Sequence, residues 1–312
     1  MIKRKTKNFL HKAIPMWMVL MLILQSTLAV ALVQNYLMRK NFQKNLAQLS
    51  KTTKNPQELV QILKQEVLPQ NGFTLSVTWG SIGKELLATG VIDKQKYEEL
   101  FVQEKDSLSQ MKYLEADSKD HMKINEKNSR FMVNTLWAMG LVNKSKVLDE
   151  GPMKTYGEGQ YMNFASTGGW TLGSKPTSEL YSSTPLIKLS DSQEALVKKI
   201  SENVYRPCCG NPTSFPDCNH GMAALAYIEL AVKQGVSEDK IYKDLLKLNS
   251  FWFPQNYVEL ATYMNKQGKD WKTVDAKKML SSEFSSAQGA QKTRQLIQNV
   301  PGVNVQGGGC GA

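Results

Sequence analysis

Three of the four cysteines and one of the three histidines fall within thirteen consecutive positions, as Cys208, Cys209, Cys218 and His220. Chance placement does not produce such a cluster, and its donor types point to three kinds of chemistry. The first is a metal centre in which Cys208, Cys209, Cys218 and His220 are the ligands, with Met222 close by. Soft sulfur with imidazole suits Zn(II), Cu(I) or another thiophilic ion such as Hg(II). The spacing departs from standard zinc modules, since no C-x2-C pair is present and adjacent cysteines rarely chelate one ion comfortably. It is also not C-x-x-C-H, which disfavours covalent c-type haem. The second is thiol–disulfide exchange, with Cys218 attacking, Cys208 or Cys209 as its partner, and Cys310 as a resolving or delivering thiol on a glycine-rich tail. The third is a structural staple, Cys208–Cys218 or Cys209–Cys218. A staple leaves one vicinal cysteine unpaired and gives His220 no part.

The elements around the cluster must position it. Pro207, Gly210, Pro212 and Pro216 predict a stiff, turn-rich loop from Cys208 to Asp217. That loop delivers Cys218 and His220 to the start of a helix over 221–234, apolar nearly all round and therefore buried. Unpaired N–H groups and the dipole at a helix start favour a thiolate at Cys218 and a neutral imidazole at His220. Asp217 or Asn219 is the expected cap.

Elsewhere the pattern is helical. Helices are expected from Asn55-Pro56 onward, over 83–89 up to Gly90, from an Asp93 cap to Phe101, and over 130–141, ending around Gly140. Further helices are expected from Ser190 to about Val204, after Ser237, and around 255–266, 275–284 and 288–298. Phe73 to Trp79 alternates and is the best strand candidate. Residues 143–190 are rich in Gly, Ser, Thr, Pro and aromatics, which suggests a functional or core-wrapping segment, or a subdivision of the domain. The fold class is mainly α: a globular helical domain with a minor β element, preceded by one N-terminal transmembrane or signal helix.

The chain of 312 residues, 41% apolar and 21% charged, has the composition of a globular protein. Its net charge of +11 is uneven, because Lys3, Arg4, Lys5, Lys7 and Lys12 meet no acid before residue 13. The rest carries interleaved lysines and acids without the dense basic stripe of a nucleic-acid groove. An uncharged run over 13–33 follows the basic start, long enough to span a bilayer. Basic flanks stay in the cytoplasm, so the remainder is expected outside it, anchored to the membrane or secreted if Ala29-Val30-Ala31 is cleaved. The expected organisation is a basic flank at 1–13, an anchor or signal peptide at 14–33, a stalk at 34–55, an extracytoplasmic helical domain at 56–300 and a flexible Gly/Cys tail at 301–312.

Weaker signals read as structure. Asn163 to Gly173 lacks the strand, helix and lysine context of a phosphate loop and reads as a turn. Asp120-His121 reads as surface and His11 as part of the cytoplasmic flank; of the 14 methionines, Met1, Met16, Met18, Met21 and Met38 lie in or near the anchor, and the rest show no M-x-x-M run and read as core filling over copper handling. No Ser/His/Asp or paired-carboxylate spacing stands out. The segments Trp79 to Lys84, Gly90 to Asp93, Asn163 to Trp170, Arg206 to Asn211 and Asp217 to Met222 resemble a family of exported bacterial proteins across most of 73–285. The resemblance implies kinship and carries no mechanism. Binding, sequestration or hand-off of a soft ion is favoured over catalysis, because nothing supplies a general acid or a substrate pocket. A thiol–disulfide oxidoreductase and a stapled cell-surface interaction protein are the alternatives.

Overall fold

The computed structural model describes residues 56–156, 159–301 and 303, with scattered helical positions between 18 and 40. Among the described residues no helix is long and apolar enough to cross a membrane. Most of the 13–33 run, His11, much of the stalk, and Cys310 lie outside them.

The described part is mainly helical with one two-stranded sheet. Helix α1 (Pro56–Val67) leads into β1 (Phe73–Gly80), then α2 (Ile82–Thr89) and α3 (Lys94–Phe101). Strand β2 (Ser118–Ile124) follows, then α4 (Ser129–Val142). The second half holds α5 (Asp191–Ser201), α6 (Asn219–Lys233), α7 (Glu238–Trp252), α8 (Pro254–Lys266) and α9 (Ala287–Ile297).

Strand β1 buries Leu75, Val77 and Trp79 while the alternate residues stay out, as period-2 patterning requires. It pairs antiparallel with β2 from Phe73–Ile124 to Gly80–Ser118, with irregular register between. Strand β2 has no alternating signature in the sequence, since only Met122 and Ile124 are buried apolar residues. Asp120 and His121 therefore belong to a strand. His121 Nδ1 lies 3.0 Å from the Leu75 carbonyl oxygen, and Tyr113 Oη donates to Asp120. The sheet is tied to the helices through Asp244, which accepts from Ser76 N at 2.8 Å and from Tyr227 Oη at 2.6 Å.

Capping residues act as expected at Gly90, left-handed at φ 79°, at Asp93, which accepts from Lys96 N, and at Ser190, whose capping box with Gln193 opens α5. Gly140 does not end α4, which continues to Val142. A Cβ at Gly140 would collide with the Met222 carbonyl oxygen, so this glycine lets α4 and α6 approach closely. The expected helix over 275–284 is two single turns, Ala276–Met279 and Ser282–Ser285. The described residues of 143–190 form four further single turns, and Met153, Trp170, Leu180 and Ile187 among them are buried in the core. Methionines 111, 122, 132, 139, 153, 222, 264 and 279 are buried apolar filling.

Helix α6 also buries a carboxylate. Glu229 is fully enclosed; Asn143 Nδ2 donates to its Oε2 at 2.9 Å, and its Oε1 has no partner among the described residues. Burial pushes its pKa up to about 8, so it is protonated at neutral pH. The folded state then holds a proton that the unfolded chain releases near the ordinary carboxyl value of 4.5, and stability is lost as pH rises from there towards 8. Glu229→Gln is expected to match wild type at pH 5 and to exceed it at pH 8 by a few kcal/mol, on the order of 1.4 kcal/mol per pKa unit. Urea unfolding at the two pH values checks this, and a gap independent of pH would refute it.

Candidate metal centre

The cluster sits on a loop between α5 and α6. Arg206 to Cys209 forms a tight turn, with Cys209 N donating to the Arg206 carbonyl at 3.4 Å. That turn brings the adjacent Cys208 and Cys209 to one side. The loop returns through Pro212 and Pro216 to Cys218, which is itself the N-cap of α6, in place of the expected Asp217 or Asn219. Its backbone is extended and its sulfur accepts from Gly221 N at 3.4 Å. The Asn163–Gly173 segment buttresses the loop from below. Ser166 N donates to the Asp217 carbonyl, Phe164 packs edge-on against Phe215, and Trp137 Nε1 donates to the Ser166 carbonyl.

The sulfurs of Cys208, Cys209 and Cys218 all lie within 4.8 Å of one another, half-buried. None of the three is in a disulfide. Cys208 and Cys218 are 3.4 Å apart at sulfur, in hydrogen-bond contact, whereas a disulfide would hold them at about 2.05 Å. The staple expected as one alternative is therefore not formed.

Sequence reasoning missed Arg206, although it stands two residues before the cysteine pair. Its side chain is 1% exposed and fans out beneath the loop. Nε donates to Cys218 Sγ at 2.9 Å, Nη1 to the Asn211 carbonyl at 3.0 Å, and Nη2 to the Phe215 carbonyl at 3.2 Å and to Asp217 at 2.5 Å. Asn211 Nδ2 holds the other carboxylate oxygen of Asp217 at 2.8 Å. Only a glycine fits above this guanidinium, because a Cβ at Gly221 would lie 2.5 Å from Arg206 Cζ. Burial alone would favour the neutral guanidine, but Cys218, Cys209, Cys208 and Asp217 outweigh it and keep Arg206 charged.

The three sulfurs share protons unequally. Hydrogen bonds from Cys208 and then Cys209, with Arg206 adding charge and a donor, hold Cys218 well below the usual thiol range despite burial. Cys208 is pushed up, chiefly by its hydrogen bonds to Cys209 and Cys218. The lowering at Cys218 comes chiefly from these neighbouring side chains, and at the helix start Gly221 N adds a backbone donor to the same sulfur.

His220 is placed differently from the three cysteines. It is 1% exposed and lies outside the group of mutually close donor atoms. Its ring packs on Phe253, with centroids 4.4 Å apart, and on Trp252 at 5.7 Å. Neither ring nitrogen has a hydrogen-bond partner among the described residues. Burial pushes its pKa down to about 4, leaving a neutral imidazole as expected, with desolvation as the main cause. Met222 is buried against Gly140.

A cleft of about 450 Å³ elsewhere is lined by Lys146, Asp191, Glu194 and Lys198 among others, and by none of the cysteines. Lys146 and Asp191 pair across it at 2.8 Å. Comparison with protein-family models, with curated proteins and with solved structures finds no match.

Proposed function

We propose that this chain binds one soft metal ion through the thiolates of Cys208, Cys209 and Cys218, and sequesters it or hands it on outside the cytoplasm. The mutual closeness of three free sulfurs on a loop pinned by buried Arg206 carries this reading. An all-sulfur donor set suits Zn(II), Cu(I) or another thiophilic ion and disfavours hard cations. The ion would replace the protons shared among the sulfurs, so binding releases protons and tightens as pH rises. Arg206 would then act from outside, donating to the Cys218 sulfur and orienting it. The location rests on the basic start and the uncharged 13–33 run.

The 3.4 Å contact between Cys208 and the Cys218 thiolate favours a second reading, thiol–disulfide exchange between these two. Metal content separates the two readings. The full chain, purified without oxygen or chelator and then titrated with Zn(II) and Cu(I), is expected to hold close to one ion per chain by mass spectrometry. Protein that is empty as purified and takes up neither ion would overturn the metal reading and leave exchange as the working account.

A further inference from the structure

Cys208 lines a groove of about 130 Å³ on the outer side of the cluster. One wall is a single face of α9, formed by Ala287, Ala290, Gln291 and Arg294 at spacings of three and four. Ala287 N donates to the Cys209 carbonyl at 2.9 Å, which fixes the start of α9 to the cysteine loop. The other wall is Phe253 and Asn256 at the start of α8.

The polar groups in this groove have capacity to spare. Glu259, 1% exposed at its side chain, holds Arg294 through Nε alone, at 3.1 Å to each carboxylate oxygen. The two terminal amino groups of Arg294 and the side-chain amides of Asn256 and Gln291 make no hydrogen bond among the described residues. A guanidinium presented by its terminal groups matches a carboxylate in two parallel bonds. The groove far exceeds the ~10–15 Å³ that one water needs and falls below the ~300–1,000 Å³ of pockets for drug-sized ligands. That size suits a molecule no larger than a single amino acid.

We propose that this groove binds a small carboxylate-bearing thiol, with its carboxylate on Arg294, Asn256 and Gln291 and its sulfur as the fourth ligand of the ion held by the three cysteines. The inference rests on the metal reading above. Three thiolates would leave one position open on a tetrahedral ion such as Zn(II). In the step itself the incoming thiol would give its proton to solvent and its sulfur would take the remaining position on the ion in place of solvent, the three cysteine sulfurs staying as they are. No electron changes hands. Such a thiol is also a vehicle for hand-off, because it enters the coordination shell before the protein's own sulfurs let go.

The test uses the full chain loaded with Co(II), titrated with mercaptoacetate and separately with uncharged 2-mercaptoethanol, reading sulfur-to-cobalt charge-transfer absorbance. Mercaptoacetate is expected to bind about tenfold more tightly and to add the intensity of one further thiolate. Gln291→Ala and Arg294→Lys are expected to erase that preference while keeping the cobalt and leaving the response to mercaptoethanol unchanged. Equal affinity for the two thiols, or an absorbance that shifts in His220→Ala because imidazole already fills the fourth position, overturns this inference and leaves the metal reading intact. A chain that takes up no cobalt overturns this inference, and one that also takes up neither Zn(II) nor Cu(I) overturns the metal reading with it.

Discussion

Cys218→Ser is expected to lower metal affinity by about two orders of magnitude while leaving the fold nearly as stable as wild type. Structural zinc in four-ligand sites is worth roughly 10–16 kcal/mol at neutral pH, so one thiolate accounts for about 3 kcal/mol, or roughly a hundredfold. The retained stability follows from the second role of this residue. Cys218 caps α6 by accepting from Gly221 N, and serine is among the best N-caps. Its hydroxyl also offers Arg206 an acceptor in place of the sulfur. Metal content by mass spectrometry and urea unfolding of the apo protein, measured together, check the two halves. Intact metal binding would remove Cys218 from the donor set. A large loss of apo stability would mean that this sulfur has a structural role beyond the cap.

The second large effect is expected at Arg206, which touches one proposed ligand atom, the Cys218 sulfur. Arg206→Met fills similar space but strips donors from the Asn211 and Phe215 carbonyls and from Asp217, whose side chain is only 18% exposed. Removing one partner of a buried ion pair costs about 3–5 kcal/mol, because the other charge stays behind unpaired. In a domain of this size 1 kcal/mol moves the melting temperature by about 2–4 °C, so a fall of roughly 6–20 °C is expected. A readout that packing alone would not move is the reactivity of Cys218. Without the guanidinium its pKa rises, and alkylation of a Cys208→Ser/Cys209→Ser background near neutral pH should slow. An unchanged alkylation rate would show that the helix start and not Arg206 sustains the thiolate. Arg206→Lys is expected to fall between, since a single ammonium keeps the charge but cannot span acceptors on three sides.

Much of the architecture is legible from local rules. Asp93, Ser190 and Gly90 announce helix boundaries because the end of a helix needs a particular side chain or a left-handed residue, and those needs act within a few residues. The apolar face-all-round pattern after Gly221 required a buried helix, and α6 is one. Strand β1 shows itself by alternation. Strand β2 does not, because its outer residues are mostly charged and its burial comes from pairing with β1, as in Phe73 with Ile124, far away in sequence. Gly140 is ambiguous for a similar reason. A glycine looks alike in sequence whether it ends a helix or admits a neighbouring one, and only the position of Met222 distinguishes the two.

The same division runs through the site. The residue types of Cys208, Cys209 and Cys218 determined by themselves that any ion held here is soft, and the prolines determined that the loop is stiff. The separation of the sulfurs was a tertiary matter. It depends on Arg206 reaching through the loop to Cys218, Asn211, Phe215 and Asp217, contacts that span five to twelve residues and close only when α6 is packed in place. The placement of His220 was also tertiary. It stands two positions after Cys218, but helical geometry turns it towards Phe253 and Trp252, so nearness in sequence did not make it part of the sulfur group. Side-chain chemistry is a property of the residue, while the distance between donor atoms is a property of the packed chain.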